Sequence, residues 1–547
     1  MKRKKKESRC VMCLLLTGAL LIPGLGSCSK KEPAAKIFDD DMSQRHHFTF
    51  AMLNWGQLNK STPDYNSDDV ARIFEEKLNF DWDIIQTTWA DWIEKPRIWI
   101  NSGDMPDMMF VNFNFKDIQS WMEQDLVKRL PDNWKTRYPN ITNVYERTVV
   151  GPALEKAIPG NAAFLPNVVF FNMPTRPNLV SHFALFFRKD WAKALGFEVK
   201  DQYTLKEFTG MIEKFQAQGA SLPGAGGGRV DTWNLDTRRV AETFLLYQWA
   251  DSGVGQNQKF YKDSSGKYVW GADDPQVLPL LQNMKDAINK GIVSRNFASF
   301  SNEEQDDLFF AGQAFGAFTG GWSEFVYRSY NRFQDITGLD PFECIQEATL
   351  TDAEGDYKPY EELNFFAGIV FNPKMDDAKF DRLLKFLDFV VSDEGQNLAR
   401  MGIEGKDYTR NGDAITITRA KGDGGNFEEI YNIYPFTGNL SHLLICADNF
   451  SSQSPAIPQK YRDAVDTMYA TKQKIGVDTG MVKNFNFDLY FFDGPNYLKF
   501  NAINIGDEMI RVATMDGDLK TNYERWLRDM HVMVDPVLKE LNDAFGN

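Results

Sequence analysis

The sequence is poor in histidine and cysteine, with five of each among 547 residues. None of the histidines belongs to an HExxH motif, whose two histidines would bind zinc in a metalloprotease. No GxSxG segment marks a nucleophilic serine. The glycine-rich stretch SLPGAGGGRVDT at 221–232 lacks the Gly-Lys-Ser/Thr ending of a phosphate-binding loop. These signatures of catalysis are missing, although 76 acidic residues keep a polysaccharide hydrolase or lyase open as an alternative.

Positive charge and long apolar runs are scarce as well. The formal net charge is −15 at pH 7, which argues against nucleic acid and against an anionic membrane surface as ligands. Beyond the first 27 residues, no stretch is apolar enough to span a bilayer. Cys344 and Cys446 could pair or remain two free thiols, and neither spacing makes a metal site.

The first 27 residues have the three parts of an export signal. Six basic residues lie between positions 2 and 9, and Val11–Pro23 form an apolar run too short to span a membrane. The Leu-Gly-Ser-Cys sequence ending at Cys28 resembles the lipobox of bacterial lipoproteins. That resemblance implies cleavage before Cys28 and lipidation of its thiol, which would anchor the chain to a cell membrane, facing outside the cytoplasm. An ordinary secretory signal is the alternative.

The chain that would remain after cleavage is acidic and long. It holds 55 basic and 75 acidic residues, a formal net charge of −20. Residues 28–46 are polar and poor in large apolar groups, which predicts a flexible leash. About 520 residues are too many for one core and predict at least two lobes. The 43 Phe, 19 Tyr and 13 Trp exceed what we expect of a core alone and suggest a cleft lined with rings.

The first block of the folded chain alternates strand and helix. The patterns predict strands at 48–57, 81–89 and 107–112, with helices at 68–80 and around Pro96 between them. This order predicts a parallel α/β sheet. Ligands of such sheets bind beyond the carboxyl ends of the strands. The residues at those ends are Asn54, Trp55, Thr88, Trp89, Asn112 and Phe113.

The second block is also mixed, and the chain ends in helices. The pattern at 205–219 predicts a helix with Thr204 as its N-cap. Residues 303–322 change from an acidic helix to an apolar strand that ends in Gly-Gly-Trp. Further elements are predicted as a strand and helix at 182–196, a hairpin at 259–271 and helices at 277–293, 379–402, 459–474 and 506–545.

Four ordered segments resemble a known family. They are SGDMPDMMF (102–110), FFRKDWAKALG (186–196), FFAGQAFGAFTGGW (309–322) and SDEGQNLARMGIEGKDYTRNGD (392–413). Together they resemble the extracellular solute-binding lipoproteins of bacterial carbohydrate ABC importers, of the LipO-like, family 1 type. The resemblance implies a two-lobed, periplasmic-binding-protein-like α/β fold with a hinge and a helix-rich C-terminal region. It also implies a monomer that closes over a sugar and docks on the transporter's membrane subunits.

The resemblance also predicts how the chain divides. Lobe 1 would comprise residues 47–160 plus about 314–375, and lobe 2 would comprise 161–313 plus about 376–547. Many relatives carry a calcium-like loop after the helix that corresponds to 205–219. Here the matching stretch has a single acid, Asp231, so we expect no calcium, no other metal and no cofactor.

Sugar-binding residues are expected where rings stand beside polar groups at predicted loop tips. Rings pack on the apolar faces of a pyranose, and Asp, Asn, Glu or Arg side chains bind its hydroxyls. For each ring, packing in a core is the alternative. Arg188 could bind the carboxylate of a uronate through two N–H groups. A salt bridge to Asp190 is the alternative for this residue. The candidate ligand contacts are Trp55, Trp89, Asp91, Asn112, Arg188, Trp233, Trp322 and Glu324.

The sequence thus predicts the substrate-binding component of an ABC importer, which captures an oligosaccharide at the cell surface. A uronate-containing sugar stays open. The alternatives are a peptide-binding lipoprotein of an importer, a surface adhesion lipoprotein and a secreted polysaccharide-degrading enzyme. Histidines that lie outside any catalytic motif weigh against the enzyme.

Overall fold

The computed structural model describes most of the chain from residue 40 onward. The described residues are 40–53, 65–88, 92, 94–112, 115–146, 155, 163–168, 180–222, 224–225, 230–255, 259–300, 302–361, 365–412, 414–421, 427–440, 443–444 and 456–546. The predicted signal peptide, Cys28 and Cys446 lie outside these residues. Within them, no helix combines the length and the apolarity needed to cross a bilayer.

Two five-stranded sheets organise the protein. The first has the strand order β2-β1-β3-β12-β4 and the second β6-β11-β5-β10-β7, while β8-β9 and β13-β14 form hairpins. The strands are β1 (His46–Leu53), β2 (Phe80–Thr87), β3 (Met108–Val111), β4 (Leu165–Val168), β5 (Phe183–Arg188), β6 (Gln202–Thr204), β7 (Asp231–Asn234), β8 (Phe260–Lys262), β9 (Tyr268–Trp270), β10 (Ala314–Gly320), β11 (Ile345–Thr351), β12 (Phe365–Phe371), β13 (Tyr408–Asn411) and β14 (Ala414–Ile417).

Helices cover both sheets and make up most of the C-terminal region. In chain order they are α1 (Asp69–Leu78), α2 (Glu94–Ser102), α3 (Phe115–Glu123), α4 (Trp134–Arg137), α5 (Pro139–Glu146), α6 (Lys189–Ala194), α7 (Leu205–Gln218), α8 (Thr237–Ala241), α9 (Val277–Asn289), α10 (Asn302–Phe310), α11 (Ser323–Thr337), α12 (Pro341–Cys344), α13 (Asp377–Val390), α14 (Asp393–Met401), α15 (Ile430–Ile433), α16 (Thr437–Leu440), α17 (Gln459–Lys472), α18 (Phe487–Tyr490), α19 (Pro495–Asn501), α20 (Ile505–Thr514) and α21 (Leu519–Phe545). The predicted two-lobed α/β fold is confirmed.

Local signals explain where these helices begin and end. Asp68 caps α1 by accepting a hydrogen bond from the amide of Ala71, which satisfies one of the free N–H groups of the first turn. Helix α1 stops at Asn79, which has a left-handed φ of 48°. Thr204 and Glu207 form a capping box at the start of α7, as the sequence predicts for Thr204.

The predicted parallel order of the first block is confirmed. Strand β1 pairs in parallel with β2 and with β3. Strand β12 returns from far along the chain and joins this sheet antiparallel to β3. Helices α1 and α13 cover the sheet, with Phe50, Phe74 and Phe386 packed together in one core.

The lobe boundaries predicted from the resemblance are wrong in two places. Strands β10 and β11 pair with β5 in the second sheet, so residues 314–351 belong to lobe 2. Helices α13 and α14 pack in the first core, so residues 377–401 belong to lobe 1. The composition of an apolar strand or helix does not show to which of two similar cores it belongs. Its lobe depends on which strands pair with one another. By membership of the two largest cores, the described residues of lobe 1 lie between 40 and 168 and between 365 and 444, and those of lobe 2 lie between 180 and 357 and between 457 and 545. Tyr490 and Phe491 are an exception, because they pack against a third cluster on the first sheet.

The predicted leash of residues 28–46 is wrong at its C-terminal end. Asp40 is buried, and its side chain forms an ion pair with Arg382 in which both side chains are fully inaccessible. Arg382 also donates hydrogen bonds to the carbonyl oxygens of Leu78 (2.7 Å), Asn79 (2.8 Å) and Asp41 (2.8 Å). The structured chain therefore begins by residue 40, clamped to α13 of lobe 1.

Judged from the described residues of the two largest cores, the chain passes from one lobe to the other three times, between residues 168 and 180, 357 and 365, and 444 and 457. The second crossing is fixed to lobe 2 by Asp251, a buried carboxylate that accepts hydrogen bonds from Tyr360 and Lys483. The amide of Glu361 donates to the carbonyl of Lys483 at 2.8 Å. These contacts hold residues 360 and 361 beside the C-terminal region.

Candidate functional site

The carboxyl ends of β1, β2 and β3 lie at one edge of the first sheet, because these strands run parallel. Asn112 follows β3 directly and is half-buried at that edge, as predicted. Trp55, Trp89 and Asp91 lie outside the described residues. Their contact with a ligand, like that of Asn112, stays a prediction.

Trp322 lies at the corresponding edge of the second sheet. It follows Gly321, the residue after the end of β10 at Gly320, and occupies the N-cap position of α11. Its half-buried ring packs edge-on against His182, with ring centres 5.3 Å apart, and lies 4.9 Å from the ring of Phe325. A Cβ atom at Gly320 would lie 2.0 Å from the Trp322 ring. The Gly-Gly-Trp sequence is therefore what lets this ring fold back over the end of the strand.

The side chains of Arg188 and Trp233 are buried, whereas contact with a ligand requires an exposed side chain. Arg188 is buried, and its guanidinium binds Asp190 through Nε at 2.8 Å and Nη2 at 2.5 Å. The salt bridge that the sequence offered as the alternative for Arg188 is thus present. The predicted loop-tip location of Trp233 is wrong, because this residue lies within β7 and its ring is fully buried against Phe208 and Phe244.

A pocket lies between the two lobes, beside the first turns of α11. It encloses about 550 Å³ of empty space, a figure that includes the open solvent at its mouth. Lobe 2 contributes Glu324, Tyr327 and Ile457 to its wall. Lobe 1 contributes Arg400, Arg419, Phe427, Glu429 and Tyr431. The predicted site residue Glu324 is therefore placed in an interlobe pocket, and α11 connects that pocket to Trp322.

Charges of opposite sign meet across this pocket. Arg328, one turn after Glu324 on α11, forms a hydrogen bond with Tyr431 and interacts with both Glu324 and Glu429. Although burial alone would lower the pKa of Arg328, the nearby carboxylates raise it above its ordinary value. Burial raises the pKa of Glu429 to about 7, and the neighbouring Glu324 contributes in the same direction. Glu429 is therefore a carboxyl that exchanges its proton near neutral pH.

Sequence patterns missed most of this pocket. Glu324 was found because it follows the Gly-Gly-Trp turn. Tyr327 is a core-like residue in a helix, and Arg419, Glu429 and Tyr431 lie about a hundred residues further along the chain. The only local signal was the mixture of acids and rings in FEEIYNIY at 427–434. Nothing in that segment indicates that it faces α11.

A second buried carboxyl lies near the carboxyl edge of the second sheet. Asp306 of α10 accepts a hydrogen bond from the hydroxyl of Thr319 at 2.8 Å, while its other oxygen is buried without a partner. Burial raises the pKa of Asp306 to about 7, against the smaller opposing effects of Thr319 and Arg239. The folded protein therefore binds a proton here that the unfolded chain releases at lower pH.

Asp306→Asn is expected to flatten the pH dependence of stability. Between about pH 4 and pH 7 the folded state holds more protons at this site than the unfolded state, so stability falls as pH rises. The amide cannot ionise, so the loss of melting temperature between pH 5 and pH 8 should be smaller in the variant than in the parent. Thermal unfolding at both pH values measures this. An equal loss in both proteins would contradict the raised pKa, and Asp335→Asn on α11 serves as the control.

No protein-family model matches the chain, and no curated protein matches it. Solved structures do match it over nearly its whole length. The alginate-binding protein AlgQ2 is similar with a TM-score of 0.63 at 16% identity, over 93% of this chain and 99% of that one. The ABC-transporter substrate-binding protein FusA of S. pneumoniae, solved with a bound fructan, has a TM-score of 0.65 at 14% identity, over 91% and 98%.

A third similar structure is the solute-binding protein from Bifidobacterium longum infantis that binds human milk oligosaccharides (HMO) and is associated with an ABC transporter. It has a TM-score of 0.58 at 12% identity, over 92% of this chain and 100% of that one. At these identities the likeness shows the shared fold. In the part of this chain that the structure describes, no group of three or more His, Cys, Asp or Glu side chains is arranged to hold a metal ion.

Proposed function

We propose that this chain is the substrate-binding component of an ABC importer and that it captures an oligosaccharide. The similar structures support the role, because each is a binding protein with a sugar ligand named for it. A binding protein needs no catalytic group, which fits the absence of catalytic motifs from the sequence. The predicted lipid on Cys28 would hold the chain at the membrane, so that captured sugar meets the importer at high effective concentration.

The observation that carries this proposal is the pocket between the lobes. Two α/β lobes joined by three crossings can close on a ligand held between them. The pocket offers rings for the apolar faces of a sugar, from Tyr327, Phe427 and Tyr431. It also offers charged hydrogen-bonding groups for hydroxyls, from Glu324 and Arg419. Trp322 supplies a further half-buried ring at the start of the same helix.

Thermal unfolding against a panel of ligands tests the proposal. A fragment of residues 29–547 would be melted with neutral oligosaccharides, uronate oligosaccharides and short peptides. A ligand that binds only the folded state at a hundred times its Kd stabilises that state by about 2.7 kcal/mol, which raises the melting temperature measurably. We expect at least one sugar class to do so.

Other results of the same panel would redirect the assignment. A shift with peptides alone would indicate a peptide importer, and a flat panel would favour an adhesion role. Release of shorter sugars during incubation would show catalysis and contradict a binding protein.

A further inference from the structure

We propose that the interlobe pocket takes an uncharged sugar unit and rejects a uronate, with Glu324 and Glu429 as the residues that reject it. This inference rests on the proposed function, because it concerns the substrate class of the same site. It narrows the choice that the sequence leaves open between neutral and acidic oligosaccharides.

The first argument is the balance of charge around the pocket. Near the pocket, Arg328 interacts with Glu324 and Glu429, and Asp407 and Glu428 interact with Arg419. The lining itself holds two carboxyl groups, Glu324 and Glu429, and two guanidinium groups, Arg400 and Arg419. The set is therefore balanced before any ligand enters. A ligand carboxylate would add one unpaired negative charge to a partly desolvated site, where such a charge is costly. A hydroxyl-bearing neutral ring adds none.

The second argument is that each arginine near the pocket already has a partner within the protein. Arg400 donates a hydrogen bond from Nε to the amide oxygen of Gln396 at 3.3 Å. Arg419 is buried, and it donates hydrogen bonds from Nε to the carbonyl of Glu428 at 2.8 Å and from Nη1 to the carbonyl of Met401 at 3.3 Å. Arg328 is bound by Tyr431 and by its acidic neighbours. A uronate is read best by a guanidinium that presents two parallel N–H groups. The hydrogen bond from Nε to the backbone denies Arg419 the fork formed by Nε and Nη2, and the bond from Nη1 occupies one donor of the other fork.

Arg188, the candidate that the sequence suggests for binding a uronate carboxylate, also has its donors occupied. Both Nε and Nη2 of Arg188 bind Asp190, and the guanidinium lies 3.8 Å from the ring centre of Trp191. A ligand would have to displace the Asp190 carboxylate to reach this buried guanidinium. Arg188 therefore provides no second route to uronate recognition.

The third argument concerns how the carboxyl groups of Glu324 and Glu429 would interact with each kind of ligand. The pKa of Glu429 is already raised to about 7 by burial, with Glu324 adding to the effect. A ligand carboxylate beside Glu429 would be repelled by the ionised form of this residue. Hydroxyl groups are instead natural partners, because each carboxylate oxygen accepts the O–H hydrogen bonds that a neutral sugar donates. Glu324 and Glu429 thus favour one ligand class and disfavour the other.

Binding affinities of matched sugars test the inference. The full chain would be held in a detergent without a sugar head group and titrated at pH 8 with trisaccharides, each in a neutral form and a uronate form of the same linkage. Galactose and galacturonate trimers are one such pair, and glucose and glucuronate trimers another. We expect the neutral member to bind at least tenfold more tightly. In Glu324→Gln and Glu429→Gln the ratio of the two Kd values should fall by about fivefold or more, because each change removes one repelling charge.

The control is Glu343→Gln, which changes an exposed glutamate on α12 of lobe 2 and should leave the ratio unchanged. Melting temperatures of the variants show whether each remains folded. Tighter binding of the uronate, or a ratio that neither glutamine variant changes, would overturn the inference and leave the proposed function intact. Failure of every sugar to bind would instead contradict the proposed function itself.

Discussion

Arg382→Met is expected to lower the free energy of unfolding by about 3–5 kcal/mol, the usual cost of removing one partner of a buried ion pair. The side chains of Arg382 and Asp40 are fully inaccessible. Methionine would leave the buried Asp40 carboxylate with the partly exposed Lys385 at 3.3 Å and the ring nitrogen Nε2 of His46 at 3.4 Å. It would also leave the carbonyls of Leu78 and Asn79 without these donors. Denaturant unfolding followed by circular dichroism measures the loss.

Two further variants make this result interpretable. Arg72→Met removes an arginine of α1 that is 61% exposed and paired with Asp69, and it should cost less than about 1 kcal/mol. The double variant Asp40→Leu, Arg382→Met removes both charges and should be more stable than Arg382→Met alone. A single variant as stable as the parent would contradict the clamp, and residues 40–45 would then be part of the leash after all.

The surroundings of Arg382 show which features can be predicted from the sequence and which cannot. The helix that contains it was predicted at 379–402 from its apolar face, and the structure has α13 and α14 there. The alternation of Phe48, Phe50 and their neighbours likewise predicted β1. No sequence signal near Arg382 points to its partner, because Asp40 lies 342 positions away. Short-range periodicity carries no information about such a pair.

The same limit explains the wrong lobe boundaries. Strand β10 is buried along its whole length, so its composition identifies a central strand. Its neighbours β5 and β7 are determined by hydrogen bonding between segments that are distant in sequence. The three crossings place later segments back in earlier lobes, and no local pattern marks a crossing. The fold class was accessible from the order of elements, whereas the division into lobes needed the pairings.

The candidate site was predicted in part for a related reason. Rings beside polar residues at the end of a strand led to Trp322 and Glu324, and the structure places Glu324 in the pocket and Trp322 at the start of the same helix. The same reasoning chose Trp233, because Asn234 follows it. Both Trp233 and Asn234 are fully buried, so a polar neighbour does not by itself indicate a surface. What separates the two tryptophans is the Gly-Gly pair, which ends β10 before Trp322.

The different burial of Trp233 and Trp322 leads to a prediction for each residue. Trp233→Ala is expected to lower the free energy of unfolding by about 3–5 kcal/mol, because it removes a fully buried ring and leaves a cavity beside Phe208 and Phe244. Trp322→Ala removes a half-buried ring and should cost about 1–2 kcal/mol of stability, through its contacts with His182 and Phe325. Denaturant unfolding of the two variants under the same conditions measures both losses.

The effects of the two variants on sugar affinity should have the opposite order, with Trp322→Ala weakening binding more than Trp233→Ala. If the Trp322 ring packs on a bound pyranose, its removal should weaken binding by about 2 kcal/mol or more, as for other aromatic hot spots, which is roughly thirtyfold in Kd. Trp233 has no accessible surface, so the folded fraction of Trp233→Ala should bind within about threefold of the parent. Calorimetric titration well below the melting temperature of each variant separates affinity from stability. A Trp322 variant with parental affinity would exclude that ring from the sugar site, and the pocket at Glu324 and Tyr431 would then have to supply the binding energy without it.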